Sequence, residues 1–296
     1  MKYLEKYGYN PDAAKVSAGI KEVADRIAEL KTPEALRLSF SIMDLTTLAP
    51  NDTVESVGKL VDKVNRLPEA FPGYPAPASI CVYPNFASTV RSLKKDPEVH
   101  VTTVASCFPS AQSFLEVKVR ECELAVETGA DEIDIVLALN AFLNGEEDRA
   151  FEEIVVMKKA IDKAAAAVNR KVVLKVILET GLLADPAKIA EASFLAMEAG
   201  ADFIKTSTGK VSVNATPEAA YIMCEAIRRF HEVTGRRVGF KAAGGISTAD
   251  DAVLYHGIVK KILGAEWMNK ELFRFGVSRV GNSLLSAMEG KEVKYF

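Results

Sequence analysis

The chain has 296 residues, 49% of them hydrophobic and 26% charged, with a formal net charge of −3. That is enough apolar material for a sizeable core, in one large domain or two small ones. The balance of charge leaves no basic footprint for nucleic acid or an anionic membrane, no apolar run reaches the roughly 18 residues of a bilayer span, and the first fifteen residues hold no apolar signal region, so a cytoplasmic protein is expected.

Residues 1–37 read as a helical extension. Pro11 and Asp12 open a helix running to about Leu30, with Ile20, Val23, Ile27 and Leu30 as its apolar stripe. From residue 38 to 296 apolar runs alternate with amphipathic helices. The predicted strands are 38–45, 79–84, 99–108, 131–139, 171–180, 201–207, 237–242 and 272–277. Residues 65–79, rich in Pro and Gly, read as a long loop before the second strand. Residues 113–129 and 186–200 read as helices following strands. Such alternation implies parallel pairing, and eight units in this length fit a (β/α)8 barrel of the TIM type. A doubly wound open sheet is the alternative, because closure is not visible in a sequence.

Two segments echo each other: 127–134, ETGADEID, and 198–205, EAGADFIK. If the units superimpose, Asp134 and Lys205 occupy the same step of strands 4 and 6. Alternate strands of a barrel fill one interior layer, so the echo predicts a carboxylate and a lysine side by side.

Three lysines lie within successive late strands: Lys175, Lys205 and Lys241. Strands covered on both faces are usually apolar throughout, so each lysine needs a reason. Pairing with a buried carboxylate is one. Chemistry is the other, since desolvation and a neighbouring cation both favour the neutral amine, a nucleophile towards carbonyls. On this reading Lys205 is the nucleophile, Lys241 the second cation, and Asp134 a proton acceptor and donor. Asp44 is a further inward carboxylate candidate, or a turn cap.

The strand ends then carry glycines, hydroxyls and basic residues: Thr208-Gly209-Lys210 after strand 6, Gly244-Gly245 after strand 7, and Arg274 through Arg279 around the end of strand 8. Glycines let backbone N–H groups approach phosphate oxygens, and the loops after strands 7 and 8 of such barrels often hold phosphate. Cys81, Cys107, Cys122 and Cys224 form no C-x-x-C pair and read as reduced, mostly buried thiols. The three histidines are well separated, with His231 and His256 in stretches read as polar helix. A histidine-ligated metal site is not expected.

Several separated motifs, in order, resemble the deoxyribose-phosphate aldolases: MDLTTL (43–48), ICVYP (80–84), GADEIDIV (129–136), LKVILETG (174–181), GADFIKTSTGKV (200–211), NATPEAA (214–220), GFKAAGGIST (239–248) and LFRFGVS (272–278). The resemblance spans residues 41–285. It implies reversible cleavage of 2-deoxy-D-ribose 5-phosphate to D-glyceraldehyde 3-phosphate and acetaldehyde by a class I aldolase, with no metal and no organic cofactor. By motif match Lys205 is the Schiff-base lysine, Lys241 the second lysine and Asp134 the relay acid. Asp44, Thr46, Cys81, Lys175 and Thr208 match pocket positions. Gly209, Lys210, Gly244, Gly245, Gly276 and Ser278 match the phosphate side. Two positions depart from the pattern: Ser247 stands where relatives often carry arginine, and Arg279 where a second serine is common. Arg279 thus becomes the candidate replacement guanidinium. Tyr295 is penultimate on a short tail, and a role for it as proton donor is left open. The extension lies outside the match, and would cover the barrel bottom or pack in a homo-oligomer.

Overall fold

A computed structural model describes residues 2–296; Met1, the first residue of the predicted extension, lies outside them. Eight parallel strands form a closed barrel in sequence order. They are β1 (Met43–Thr46), β2 (Ser79–Val82), β3 (His100–Val104), β4 (Glu132–Val136), β5 (Val173–Ile177), β6 (Phe203–Lys205), β7 (Gly239–Ala243) and β8 (Phe273–Val277). Every strand is shorter than its apolar run in the sequence. The runs continue into segments that are buried but leave the ladder, such as Leu137 and Ala138 after β4.

Alternating residues on each strand fill the interior in layers. The pairing Asp134↔Lys175 and then Ile177↔Lys205 raises the register by one step across two strands. This puts Cys81, Asp134, Lys205 and Gly276 of the even strands in one layer. Asp44, Thr102, Lys175 and Lys241 of the odd strands form the layer below, and Ser79, Glu132, Phe203 and Arg274 the one below that. The layer predicted from the internal echo, Asp134 beside Lys205, is present. Gly239 is required by this packing, because a Cβ there would overlap the Phe203 ring.

Three predicted boundaries move, each for a local reason. Residues 38–41 are the end of a helix rather than the start of a strand. Thr32 caps it by accepting from Ala35 N at 3.2 Å, and Pro33 opens it, a strong start signal. The 65–79 loop begins only at Phe71, because the helix Val54–Ala70 runs through Pro68. Its buried stripe of Val57, Val61, Val64 and Leu67 outweighs the one lost backbone bond. The N-terminal helix ends early and resumes, so the extension comprises α1 (Lys2–Tyr7), α2 (Ala13–Ala24) and α3 (Ile27–Leu30), leading into α4 (Pro33–Ser41). Asp12 caps α2 through Ala14 N and Lys15 N.

The extension packs on the outer helical wall. Tyr7 stacks on Phe194 with ring centroids 4.4 Å apart, and Glu191 accepts from Tyr3 N and Leu4 N, both at 3.0 Å. Val23 of α2 lies against Gly257. As a result the helix Pro186–Glu198 is buried on both sides, with every residue from Ile189 to Met197 inside.

His256, read as polar helix, is instead 6% exposed, with Nδ1 lacking a hydrogen-bond partner. Burial, reinforced by Lys260, pushes its pKa from 6.5 down to about 4. The folded state resists a proton that the unfolded chain takes up, so stability is full above pH 6.5 and falls as pH drops towards 4. The loss should total about 3 kcal/mol. Urea unfolding at pH 7.5 and pH 5 should show about 2 kcal/mol of it in the parent and a flatter dependence in His256→Leu. An equal acid loss in that variant would assign the effect to other groups.

Candidate active site

The open pocket lies at the carboxyl end of the strands, where barrels of this type place their chemistry. It has a volume of about 450 Å³ and is lined by the loops after β1, β6, β7 and β8. Of the residues singled out from sequence, Thr46, Lys205, Thr208, Gly209, Lys210, Gly244, Gly276, Ser278 and Arg279 line it. Asp44, Cys81, Asp134, Lys175 and Lys241 do not; they lie beneath its floor, fully buried. Gly245 is outside the lining, next to Gly244. Tyr295 lies elsewhere, its hydroxyl donating to the Lys63 carbonyl at 2.7 Å and its ring edge-on to Phe71. Asn282 clamps this tail through Tyr295 N and Phe296 N, both at 2.8 Å.

Lys205 forms the boundary between pocket and floor. It is 3% exposed, and its Nζ donates to Asp134 Oδ2 at 2.7 Å. The same oxygen accepts from Lys241 Nζ at 2.8 Å, and Oδ1 accepts from Lys175 Nζ at 3.0 Å. One carboxylate on β4 therefore gathers the amines of β5, β6 and β7. Lys241 also pairs with Asp44, and Lys175 with Glu132. Pairing with a buried carboxylate, one of the two readings in the sequence, is present for all three lysines.

These contacts separate the amines electrostatically. Burial favours loss of the Lys205 proton; Asp134 opposes this and the Lys241 cation assists it, and the pKa ends below the ordinary 10.5. Burial also works against charge on Lys241, but Asp134 and Asp44 together overcome it and hold the ammonium well above its usual value. Burial raises the Asp134 carboxyl, yet Lys175, Lys205 and Lys241 outweigh it and keep the group ionised far below the usual range. Burial pushes the Cys81 thiol up, so it is an un-ionised neighbour packed with Leu48 and Val104.

The far rim is built from glycines and a helix end. Gly209, Gly244 and Gly245 have φ of +79°, +74° and +78°, a region costly for residues with a Cβ. At Gly276 a Cβ would come within 3.1 Å of Lys241 Cε. Ser278 and Arg279 are exposed just before the helix Val280–Glu289, whose first turn has no side-chain cap, the kind of helix end that suits an anion. Ser247 is turned away, its N donating to Asp251 Oδ2 at 3.1 Å. Lys210 reaches across to the Leu48 carbonyl at 2.5 Å.

Arg274, grouped in the sequence with the phosphate signals, is not at the rim. It is 1% exposed inside the barrel, with Nη1 donating to Asp44 Oδ1 at 2.6 Å and Nη2 to Glu132 Oε1 at 2.7 Å. Its position two residues below Gly276 aims it inward. Glu132 was missed altogether, although it lies two residues before Asp134 on the same strand face, and that spacing was the available signal. Glu179 was missed as a site residue too. It is buried with φ +56° and receives Thr208 N at 3.1 Å, fixing the loop after β6. Among the described residues no group of three or more His, Cys, Asp or Glu is placed to hold a metal ion, and no helix is long and apolar enough to cross a membrane.

A closed parallel barrel with a buried amine–carboxylate cluster under a glycine-rimmed pocket defines a barrel enzyme equipped for carbonyl chemistry. Residues 38–277 match the model of the DeoC/LacD family aldolases, and the chain belongs to that family. It is an aldolase, a carbon–carbon lyase. A Caenorhabditis elegans protein provisionally named deoxyribose-phosphate aldolase is 40% identical over 289 residues, covering 97% of this chain and 92% of that protein. A solved tetrameric deoxyribose phosphate aldolase from Aeropyrum pernix is 26% identical, with a TM-score of 0.66 over 93% of this chain and 98% of that one. A Coccidioides immitis structure, also provisionally named deoxyribose-phosphate aldolase, is 25% identical, with a TM-score of 0.68 over 89% and 96%.

Proposed function

We propose that the protein reversibly cleaves 2-deoxy-D-ribose 5-phosphate to D-glyceraldehyde 3-phosphate and acetaldehyde through a Schiff base on Lys205. The observation that carries this reading is the shared Asp134 carboxylate, which leaves one lysine poised to be neutral at the pocket floor and a second held as an ammonium 2.8 Å from the same oxygen.

The open-chain sugar enters with its phosphate towards Gly244, Ser278, Arg279 and the helix beginning at Val280. Neutral Lys205 attacks C1, and the carbinolamine loses water with a proton supplied from Lys241 through Asp134. The iminium draws the electrons of the C2–C3 bond as the C3 hydroxyl gives up its proton to a water ordered by Asp134. Glyceraldehyde 3-phosphate leaves. The enamine takes a proton at C2, and hydrolysis of the resulting iminium releases acetaldehyde and restores the amine. Forming an enamine avoids an unstabilised enolate. Asp134 is too weak a base to hold the proton for long; it orients the amines while Lys241 carries the proton. Thr46 and Thr208 present polar groups to the sugar, with Asp44 and Lys175 fixing Lys241 and Asp134 from below. No cofactor takes part. The partners are sugar phosphates and small aldehydes, with assembly into a homo-oligomer and a cytoplasmic location as further parts of the proposal.

Borohydride reduction in the presence of acetaldehyde, followed by peptide mapping, tests the reading. A reduced ethyl group on Lys205 is the expected result; folded protein that binds sugar phosphate but forms no adduct would overturn it. The arginine at the rim gives a second test. Arg279→Ser should raise KM for the phosphorylated substrate by roughly tenfold with little change in kcat. An unchanged KM would remove Arg279 from the phosphate site.

A further inference from the structure

The barrel interior holds more charge than the reaction uses. Three carboxylates, Asp44, Glu132 and Asp134, face four basic side chains, Lys175, Lys205, Lys241 and Arg274, and none of the seven is more than 3% exposed. Stability does not explain such a cluster, because desolvating buried ions offsets most of what their pairing returns. Its arithmetic is informative instead. Arg274 is shared by Asp44 at 2.6 Å and Glu132 at 2.7 Å. Lys175 is held by Glu132 and Asp134, and Lys241 by Asp44 and Asp134. Each of these three cations thus bridges at least two of the three carboxylates, Lys175 lying also 3.6 Å from Asp44, and together they neutralise all three. Lys205 alone has a single carboxylate oxygen, already used by Lys241. A proton on Lys205 is the surplus charge.

We propose that Arg274 and Glu132, two layers beneath the reactive amine, are positioning residues that set its protonation state: Arg274 supplies the third cation, which makes a proton on Lys205 surplus, and Glu132 limits the opposite excess. The inference rests on the Schiff-base reading and deepens it. None of the remaining described groups facing Lys205 forms an ion pair with it. The β2 neighbour is the un-ionised thiol of Cys81. Glu179, above β5, is committed to Thr208, with its pKa raised by burial. From β3 the titratable group is His100, at the lower rim, 2.6 Å from Glu132. Asp44 and Asp134 stay ionised and Lys175 and Lys241 stay charged, since their partners outweigh burial in each case.

The test is the pH dependence of imine formation with acetaldehyde, read as borohydride-trapped adduct against time. Arg274→Gln removes a cation, so Lys205 should keep its proton to higher pH. The midpoint should rise by on the order of one pH unit, and trapping well below it should slow about tenfold. Glu132→Gln removes an anion and should shift the midpoint down. Arg274→Lys, which keeps the charge, should stay near the parent midpoint. Structural damage would slow both glutamine variants without opposite shifts. Shifts of the same sign, or none, in variants with parent-like circular dichroism would overturn the inference. If Arg274→Gln does not fold, the downward shift in Glu132→Gln decides the matter. A parent protein that forms no adduct at any pH would count against the Schiff-base reading itself.

Discussion

Lys205→Leu should lose turnover by on the order of 10⁴-fold or more and form no reducible adduct, while keeping its fold. The second half of that expectation follows from the charge arrangement. Burial and the Lys241 cation both favour loss of the Lys205 proton, so this amine contributes less to the buried ion pairs than its neighbours, and Asp134 still has Lys175 at 3.0 Å and Lys241 at 2.8 Å as partners. Leucine fills a comparable volume with apolar atoms. Thermal unfolding should therefore change little, in contrast to the usual cost of about 3–5 kcal/mol for breaking a buried ion pair. Activity and adduct are measured on the same preparation. Substantial turnover in the variant would remove Lys205 as nucleophile, and a large loss of stability would mean that it is charged at rest.

Asp134→Asn should behave differently on both counts. Three amines lose their common acceptor, and an amide presents N–H donors to at least one of them. Turnover should fall by about 10²- to 10⁴-fold, and stability by about 3–5 kcal/mol, since the surrounding ammonium groups lose a buried counter-charge. The Lys205 adduct should still form, though more slowly than in the parent: removing a neighbouring anion favours the neutral amine, while dehydration of the carbinolamine loses its proton path through Asp134. Trapping without turnover is the signature that separates a relay from a nucleophile. The pH dependence has a definite sign. The folded pKa of Asp134 lies below its ordinary 3.8, so the carboxylate's contribution is full above pH 3.8 and disappears as pH falls through the lower folded value. Acid titration of unfolding should show that component in the parent and not in Asp134→Asn. An unchanged acid limb would place the acid lability elsewhere in the cluster.

The sequence was most legible where chemistry and periodicity coincided. Lysines at strand centres are costly enough to demand partners, and the echo between 127–134 and 198–205 set Asp134 and Lys205 at one level before any register was visible. Glycines at the strand ends marked the rim, because positive φ at Gly209, Gly244 and Gly245 excludes most other residues. Arg274 shows the limit. Next to Gly276 and Ser278 it read as part of an anion site, since a strand end looks alike whether a side chain points up to the mouth or down into the barrel. Glu132 carried only its spacing from Asp134 as a signal, and an acidic residue before a strand core also fits a solvated strand start. The histidine at 256 was read from its polar neighbours, whereas its burial depends on the extension and α4 packing over that helix.

The sequence by itself determined the alternation of strands and helices, the lysines and the carboxylate proposed to serve the reaction, and the glycine-rich rim. These are properties of local pattern: strand period, desolvation cost and backbone conformation act within a few residues. The tertiary structure alone decided which oxygen each amine shares, how many carboxylates each cation meets, and that Arg274 and Tyr295 lie away from the pocket. Those depend on barrel closure and register, which bring β1, β4, β5, β7 and β8 within hydrogen-bond reach across up to 230 positions of sequence, where no local pattern reaches.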